Sequence, residues 1–168
     1  YSDHDTVARQ YEITAKAFQF SMSVALILIL LGAARRWADG KQSGGSWAVL
    51  AFFSAPMMFF NAWNCLNDIG TTLFSCASLM LAVEAVRACR ENNPARSRAL
   101  FMGAGLFCGW AMGAKYTAFP LILMLPLVAA IAGRRAGVRL DSAFARSLSL
   151  FVLSAMLTVS PWVIRNSV

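Results

Sequence analysis

The chain has 168 residues, of which 58% are apolar and 14% are charged, and it carries a formal net charge of +7. Soluble domains are about 45–50% apolar and about 25% charged, so this composition excludes an ordinary soluble domain and indicates a membrane protein. A basic excess also occurs in nucleic-acid-binding proteins. Here, however, the arginines and lysines stand between apolar stretches, as in loops that border a bilayer, and we expect no nucleic-acid partner.

The N-terminal stretch YSDHDTVARQYEITAK is polar and contains neither an initiator methionine nor a signal peptide. We interpret residues 1–16 as an extracytoplasmic or juxtamembrane segment and expect the chain to be a fragment. A helix that crosses a bilayer core of about 30 Å needs about 20 residues. Residues 17–168 are therefore predicted to form one all-α transmembrane domain with six helices, near residues 17–34, 46–66, 71–86, 99–114, 118–133 and 147–164.

Two long apolar runs are predicted to be helical hairpins with short tips. A single helix over 99–133 would be about 52 Å long, well beyond the hydrocarbon, and Pro120 would disturb it. A tight turn at 115–117 fits better, and the run 46–86 is divided in the same way at 67–70. Small residues in the first arm include G-x-x-x-G at 105–109, which we interpret as packing within the chain.

The distribution of basic residues gives the orientation. The segments that join helices 1–2, 3–4 and 5–6 hold eleven of the fifteen arginines and lysines. By the positive-inside rule these segments are cytoplasmic. The segments 1–16, 67–70, 115–117 and 165–168 are then extracytoplasmic, and the expected location is the cytoplasmic membrane of a bacterium or an archaeon.

Ionisable and amide side chains at the outer ends of the helices are the candidate functional residues. Asn61, Asn64 and Asp68 share one helical face if the helix persists that far, and they indicate either a structural network or a polar cavity. Lys115 lies at a hairpin tip and Arg165 ends the last helix; both either extend to the interface or bind phosphate. The four cysteines have no metal-ligand spacing, and we interpret them as free thiols.

Three motifs in this order resemble GT-C membrane glycosyltransferases of the protein mannosyltransferase and aminoarabinose transferase type. They are NAWNCLNDIG (61–70), GLFCGWAMGAKYTAFPLILMLP (105–126) and SPWVIRN (160–166). The resemblance implies a GT-C-like bundle that transfers a sugar from a polyprenyl-phosphate donor to a glycan, lipid or protein acceptor on the extracytoplasmic face. A divalent metal is a possible cofactor, although no metal ligand is assigned.

The resemblance also implies roles for individual residues. Asp68 corresponds to the second acidic residue of the family, whose main catalytic base lies in the first extracytoplasmic loop. That base is therefore expected upstream of Tyr1 or at Asp3 or Asp5. Lys115 and Arg165 correspond to basic positions near the donor phosphate. The expected cavity-lining residues are Asn61, Asn64, Tyr116 and Asn166.

Two other functions are compatible with the pattern. A non-catalytic membrane subunit would use the same helices to bind a partner protein or a lipid. A transporter fragment fits less well, because transporters place ionisable groups near the middle of the bilayer. Here the charged residues stand at the ends of the predicted helices.

Overall fold

The computed structural model describes residues 3–37 and 68–167. In these ranges the chain is helical and forms no β-strand, which confirms the predicted all-α fold. The elements are α1 (Asp3–Trp37), α2 (Asp68–Arg90), α3 (Pro94–Ala114), a 3₁₀ turn (Tyr116–Ala118), α4 (Leu121–Arg135) and α5 (Ser142–Asn166). The predicted helix at 46–66 lies outside the described residues.

Four helical segments are long and apolar enough to cross a membrane, judged by length and composition. The segments are Gln10–Arg36, Asp68–Arg90, Tyr116–Arg135 and Ser142–Asn166. The predicted span 99–114 is helical as part of α3, but α3 is not among the four. Five of the six predicted spans fall within the described residues, and the structure contains four candidate spans there.

The chain divides into two units, residues 1–73 and 74–168. In the first unit α1 is continuous from Asp3, so most of the segment 1–16 is helix rather than loop. Lys16 pairs with Glu12 one turn earlier at 2.5 Å, and no glycine or proline occurs before Gly32 to end the helix. A Cβ on Gly70 would lie 3.3 Å from the Met22 sulfur, so the first turn of α2 packs against α1.

In the second unit α2 and α3 form an antiparallel hairpin. Phe74 near the N-terminal end of α2 contacts Trp110 near the C-terminal end of α3, with 5.6 Å between ring centroids. The buried Ser78 hydroxyl donates to the Ala104 carbonyl oxygen at 2.7 Å. Such an interhelical hydrogen bond satisfies a polar group that would otherwise be costly in an apolar core.

The turn between α2 and α3 follows the usual chemistry of helix ends. Asn92 has a positive φ of 53°, which asparagine tolerates better than most residues. The Asn93 side chain accepts a hydrogen bond from the Arg96 backbone N–H at 3.0 Å and so caps α3. Pro94 occupies the first helical position, where the missing N–H leaves no bond unmade.

The helices α3 and α5 pack closely and run in the same direction. A Cβ on Gly105 would overlap the Ser154 hydroxyl, and one on Gly109 would lie 2.5 Å from the Ala155 carbonyl oxygen. The contacts advance from the N-terminal to the C-terminal end of both helices, so the pair is parallel. G-x-x-x-G at 105–109 therefore serves packing within the chain.

The core of the second unit lies between α3 and α5, with α2 and α4 adding side chains around it. Phe101, Cys108, Phe151 and Ala155 are almost completely buried. A turn at 136–141 joins α4 to α5, with Gly137 at a φ of 77°. Asp141 Oδ1 then accepts the N–H groups of residues 143 and 144 at 3.0 Å and caps α5.

Replacing Ser78 with alanine is expected to lower the free energy of unfolding by about 1 kcal/mol, because the hydrogen bond to Ala104 joins two helices. Ser149→Ala is the matched control, since the exposed Ser149 hydroxyl bonds only to the Ala145 carbonyl of its own helix. Denaturation of the two variants in detergent will measure the difference. Equal stability would show that the bond between α2 and α3 contributes nothing.

Candidate functional site

The chain reverses direction between α3 and α4 in a short, well-defined tip. Lys115 leaves the helix in an extended conformation with φ −154° and ψ 128°. Its N–H still donates to Ala111, and its carbonyl accepts the Ala118 N–H, both at 3.0 Å. Pro120 has no N–H to continue a helix from α3 and stands just before α4. The predicted break at 115–117 is confirmed.

A contact between aromatic rings attaches this tip to the end of α5. The Phe119 and Trp162 ring centroids are 6.3 Å apart, and Arg165 follows Trp162 by nearly one turn. The helix register agrees: Lys115 stands about 9 Å beyond Gly109, and Arg165 about 10 Å beyond Thr158, at 1.5 Å per residue. Since Gly109 packs at the level of Thr158, Lys115 and Arg165 lie at the same end of the parallel pair.

The two cations at this end differ in their surroundings. The Lys115 side chain is half-buried, and Arg165 is exposed in the last turn of α5. A positive charge at a helix C-terminus interacts favourably with the helix dipole, so Arg165 is also stabilised where it stands. The helix pair thus carries a lysine and an arginine at the same end, and a phosphate accepts hydrogen bonds from both types of group.

The neighbouring polar residues have structural roles that the sequence did not indicate. The Asn166 amide donates to the Trp162 carbonyl at 2.8 Å, which satisfies one of the last carbonyls of α5. Tyr116 is 72% exposed, so its ring lies on the surface of the described residues. Tyr116 and Trp162 are amphipathic aromatic residues of the kind that occur at membrane interfaces.

The predicted acidic residues lie in the first unit. Asp68 is the first described residue of α2 and is half-buried. A carboxylate in the first turn interacts favourably with the helix dipole, and the Asp68 carbonyl accepts the Thr72 hydroxyl at 2.7 Å. Asp3 and Asp5 lie in the first turn of α1 rather than in a loop. Asp3, Asp5 and Asp68 belong to the first unit, whereas Lys115 and Arg165 belong to the second.

Two predicted site residues, Asn61 and Asn64, lie outside the described residues. Within residues 3–37 and 68–167, no three histidine, cysteine, aspartate or glutamate side chains come together as a metal site requires. Cys76, Cys89 and Cys108 are free thiols.

Sequence reasoning missed a second polar region at the opposite end of the α3–α5 pair. There Arg90 and Arg139 line a cavity between two turns, residues 91–93 and 136–141. The sequence showed only that both arginines lie in basic segments. It could not show that they share a cavity, because the cavity forms only when two turns far apart in the chain come together. No protein-family model, curated protein or solved structure matches this chain.

Proposed function

We propose that the protein is an integral-membrane glycosyltransferase of the GT-C type that uses a polyprenyl-phosphate-linked sugar. The observation that carries the proposal is the position of Lys115 and Arg165 at one end of the α3–α5 pair. The turns at 91–93 and 136–141 stand at the other end, which we call the arginine-rich end because Arg90 and Arg139 lie there. A lipid-linked donor carries its phosphate at the membrane surface, where two cations at the ends of apolar helices are able to bind it.

The proposed reaction is a single displacement at the anomeric carbon. The acceptor oxygen or nitrogen forms a bond to that carbon while the bond from the carbon to the phosphate oxygen breaks. Polyprenyl phosphate leaves with the electron pair, and the proton of the acceptor passes to a carboxylate acting as general base. Lys115 and Arg165 bind the leaving phosphate and stabilise the charge that develops on it.

The role of Asp68 rests on the sequence resemblance. We assign it as a carboxylate of the active site. The main base is not assigned to Asp3 or Asp5, because both lie about 25 Å or more along α1 from Met22, which packs at the level of Gly70. The position of Asp68 at the start of a membrane-length helix supports a location near a membrane surface. Bound divalent metal is an optional part of the proposal, to be tested by adding a chelator to the assay.

We further propose that the described helices belong to a bundle of six spans in a bacterial or archaeal cytoplasmic membrane. The turn at 136–141 and the tip at 115–117 stand at opposite ends of α4, which supports opposite sides for the basic segments and the hairpin tip. The basic segments are cytoplasmic by the positive-inside rule, and Lys115 and Arg165 are extracytoplasmic.

The test is transfer of a radiolabelled sugar from polyprenyl-phosphate donors by the full-length gene product in detergent or vesicles. We expect Asp68→Asn to reduce the rate by at least about 10²-fold, as loss of a carboxylate that assists proton transfer at the reacting centre does. Glu91→Gln is the control, because it removes one carboxylate at the arginine-rich end. Circular dichroism and thermal unfolding will show whether both variants are folded.

The outcomes separate the competing functions. Transfer by the wild-type protein with loss in Asp68→Asn alone supports the enzyme. Equal activity of both folded variants would remove Asp68 from the site. No transfer from any donor, together with stable co-purification of another membrane protein, would favour the non-catalytic subunit.

A further inference from the structure

The turns at the arginine-rich end enclose a cavity of about 610 Å³ that is partly open to its surroundings. The α2–α3 turn contributes Arg90 and Asn92, and the α4–α5 turn contributes Arg139 and Asp141. Ser97 and Ser147 form part of the floor and are almost completely buried. The cavity therefore has a polar rim that carries two guanidinium groups.

The guanidinium groups of this cavity are available to a ligand. Nearby arginines are engaged: Arg87 pairs with Glu84 at 3.0 Å, and Arg96 pairs with Glu91 at 3.3 Å. Across the described ranges, neither Arg90 nor Arg139 has an ion-pair partner. The cavity also contains one carboxylate, Asp141, but its Oδ1 accepts two backbone N–H groups of α5.

An apolar groove begins where this cavity ends. The groove lies between α2 and α4, has a volume of about 230 Å³, and shares Arg90 with the cavity. It is lined mainly by Ala82, Val86, Leu125, Val128 and Ala132. The distance along α2 from Leu79 to Arg90 is about 16 Å at 1.5 Å per residue, about half of a bilayer core of about 30 Å.

A shallower depression of about 480 Å³ lies beside the groove on an exposed face of α4. The depression and the groove share Val128, Ala132 and Ala136, and Arg135 stands at the arginine-rich end of the depression. Two adjacent apolar surfaces thus lead to the same polar end of the second unit.

We propose that this end binds one anionic glycerophospholipid, with its phosphate between Arg90 and Arg139 and one acyl chain in the groove. Guanidinium groups bind phosphate through paired hydrogen bonds, and basic pockets between membrane helices are suited to anionic head groups. The second acyl chain lies on the depression along α4. The free Asp141 oxygen accepts a hydrogen bond from a hydroxyl of the head group, as phosphatidylglycerol offers.

The shape of the site favours a lipid over the other possible occupants. A soluble phosphate would use the two arginines but leave the groove empty. A peptide helix with its side chains is about 10–12 Å across, and an unmodified peptide offers no phosphate to the two arginines. A single acyl chain is narrow, apolar and attached to a phosphate, which matches both parts of the site.

The experiment is native mass spectrometry of the purified protein in detergent, titrated with phosphatidylglycerol, phosphatidylcholine of the same chains, or inorganic phosphate. We expect the affinity for phosphatidylglycerol to exceed the affinity for phosphatidylcholine by about tenfold or more. The double variant Arg90→Gln and Arg139→Gln should lose about tenfold or more of that affinity, because it removes charge-assisted hydrogen bonds. Arg146→Gln is the control, an exposed arginine outside the cavity lining.

A second variant tests the groove independently of charge. Ala132 is exposed on α4 and lines the groove, so Ala132→Leu should fill it and weaken phosphatidylglycerol binding at least fivefold. Ala145→Leu, at an exposed position of α5 outside the lining, should leave binding unchanged. Thermal unfolding will confirm that both leucine variants are folded.

Four results would overturn the proposal: equal binding of both lipids, competition by millimolar inorganic phosphate, equal loss in Arg146→Gln, or no effect of Ala132→Leu. The first would indicate a groove without head-group recognition, and the second a site for a free anion. The third would indicate only general attraction to a basic surface, and the fourth would exclude an acyl chain from the groove. Because the readout is lipid binding, its failure leaves the proposed sugar transfer untouched.

Discussion

Gly105→Ala will force α3 away from α5 and lower the melting temperature of the purified protein, whereas Gly113→Ala will not lower it. The methyl group added to Gly105 would overlap both the Ser154 hydroxyl and the Phe151 carbonyl. A side chain is able to rotate away, but a helix carbonyl is fixed by its own hydrogen bond. The helices must therefore separate, and overpacking of this kind costs about 1–3 kcal/mol.

Gly113 provides a matched control because it belongs to the same helix and to a second G-x-x-x-G, at 109–113. A Cβ at Gly113 would meet nothing within 4 Å. Alanine also favours a helix over glycine by about 1 kcal/mol, so Gly113→Ala should be neutral or slightly stabilising. For a unit of about 100 residues, a cost of about 1 kcal/mol corresponds to roughly 4–8 °C in melting temperature.

A double variant distinguishes the two sources of the overlap. In Gly105→Ala with Ser154→Ala, the hydroxyl is gone but the Phe151 carbonyl remains, so we expect little recovery of stability. Full recovery would place the conflict with the serine side chain alone. A melting temperature of Gly105→Ala equal to that of Gly113→Ala would contradict the close approach of α3 and α5.

The elements whose positions depend on local chemistry were predictable from the sequence. The break at 115–117 follows from helix length and Pro120, and the turn at 91–93 follows from two asparagines and a proline. The start of α1 was predicted poorly, because a polar stretch suggested a loop. The absence of glycine and proline there and the pair of Glu12 with Lys16 favour a helix that continues to Asp3.

Relations between distant segments were harder to predict. G-x-x-x-G at 105–109 indicates close packing, but it does not name α5 as the partner or give its direction. The parallel register of α3 and α5 places Lys115 and Arg165 at one end, and the sequence predicted this only through the charge distribution. Arg90 and Arg139 were missed as a pair because their cavity exists only when two turns meet.

In the proposed reaction, Lys115→Ala is expected to lower kcat/KM for the lipid-linked donor by about 10²-fold, since it removes a cation that we assign to the leaving phosphate. Lys115→Arg should retain most activity if a positive charge is what the site requires, although the fork of donors in arginine will not fit identically. Lys16→Ala is the control, because Lys16 is predicted to be extracytoplasmic too and pairs with Glu12 on α1. The measurement is initial transfer rate against donor concentration.

A cycle of single and double variants then tests whether Lys115 and Arg165 bind the same phosphate. If they do, the free-energy losses in Lys115→Ala and Arg165→Ala will differ from additivity by at least about 0.5 kcal/mol in the double variant, as for residues that share a partner. Strict additivity would show that the two cations act on separate groups despite lying at the same end of the helix pair. An equal loss of activity in Lys16→Ala would instead show that the effect comes from surface charge in general. Such an effect would weaken with added salt, because charges are screened beyond about 10 Å at 0.1 M ionic strength.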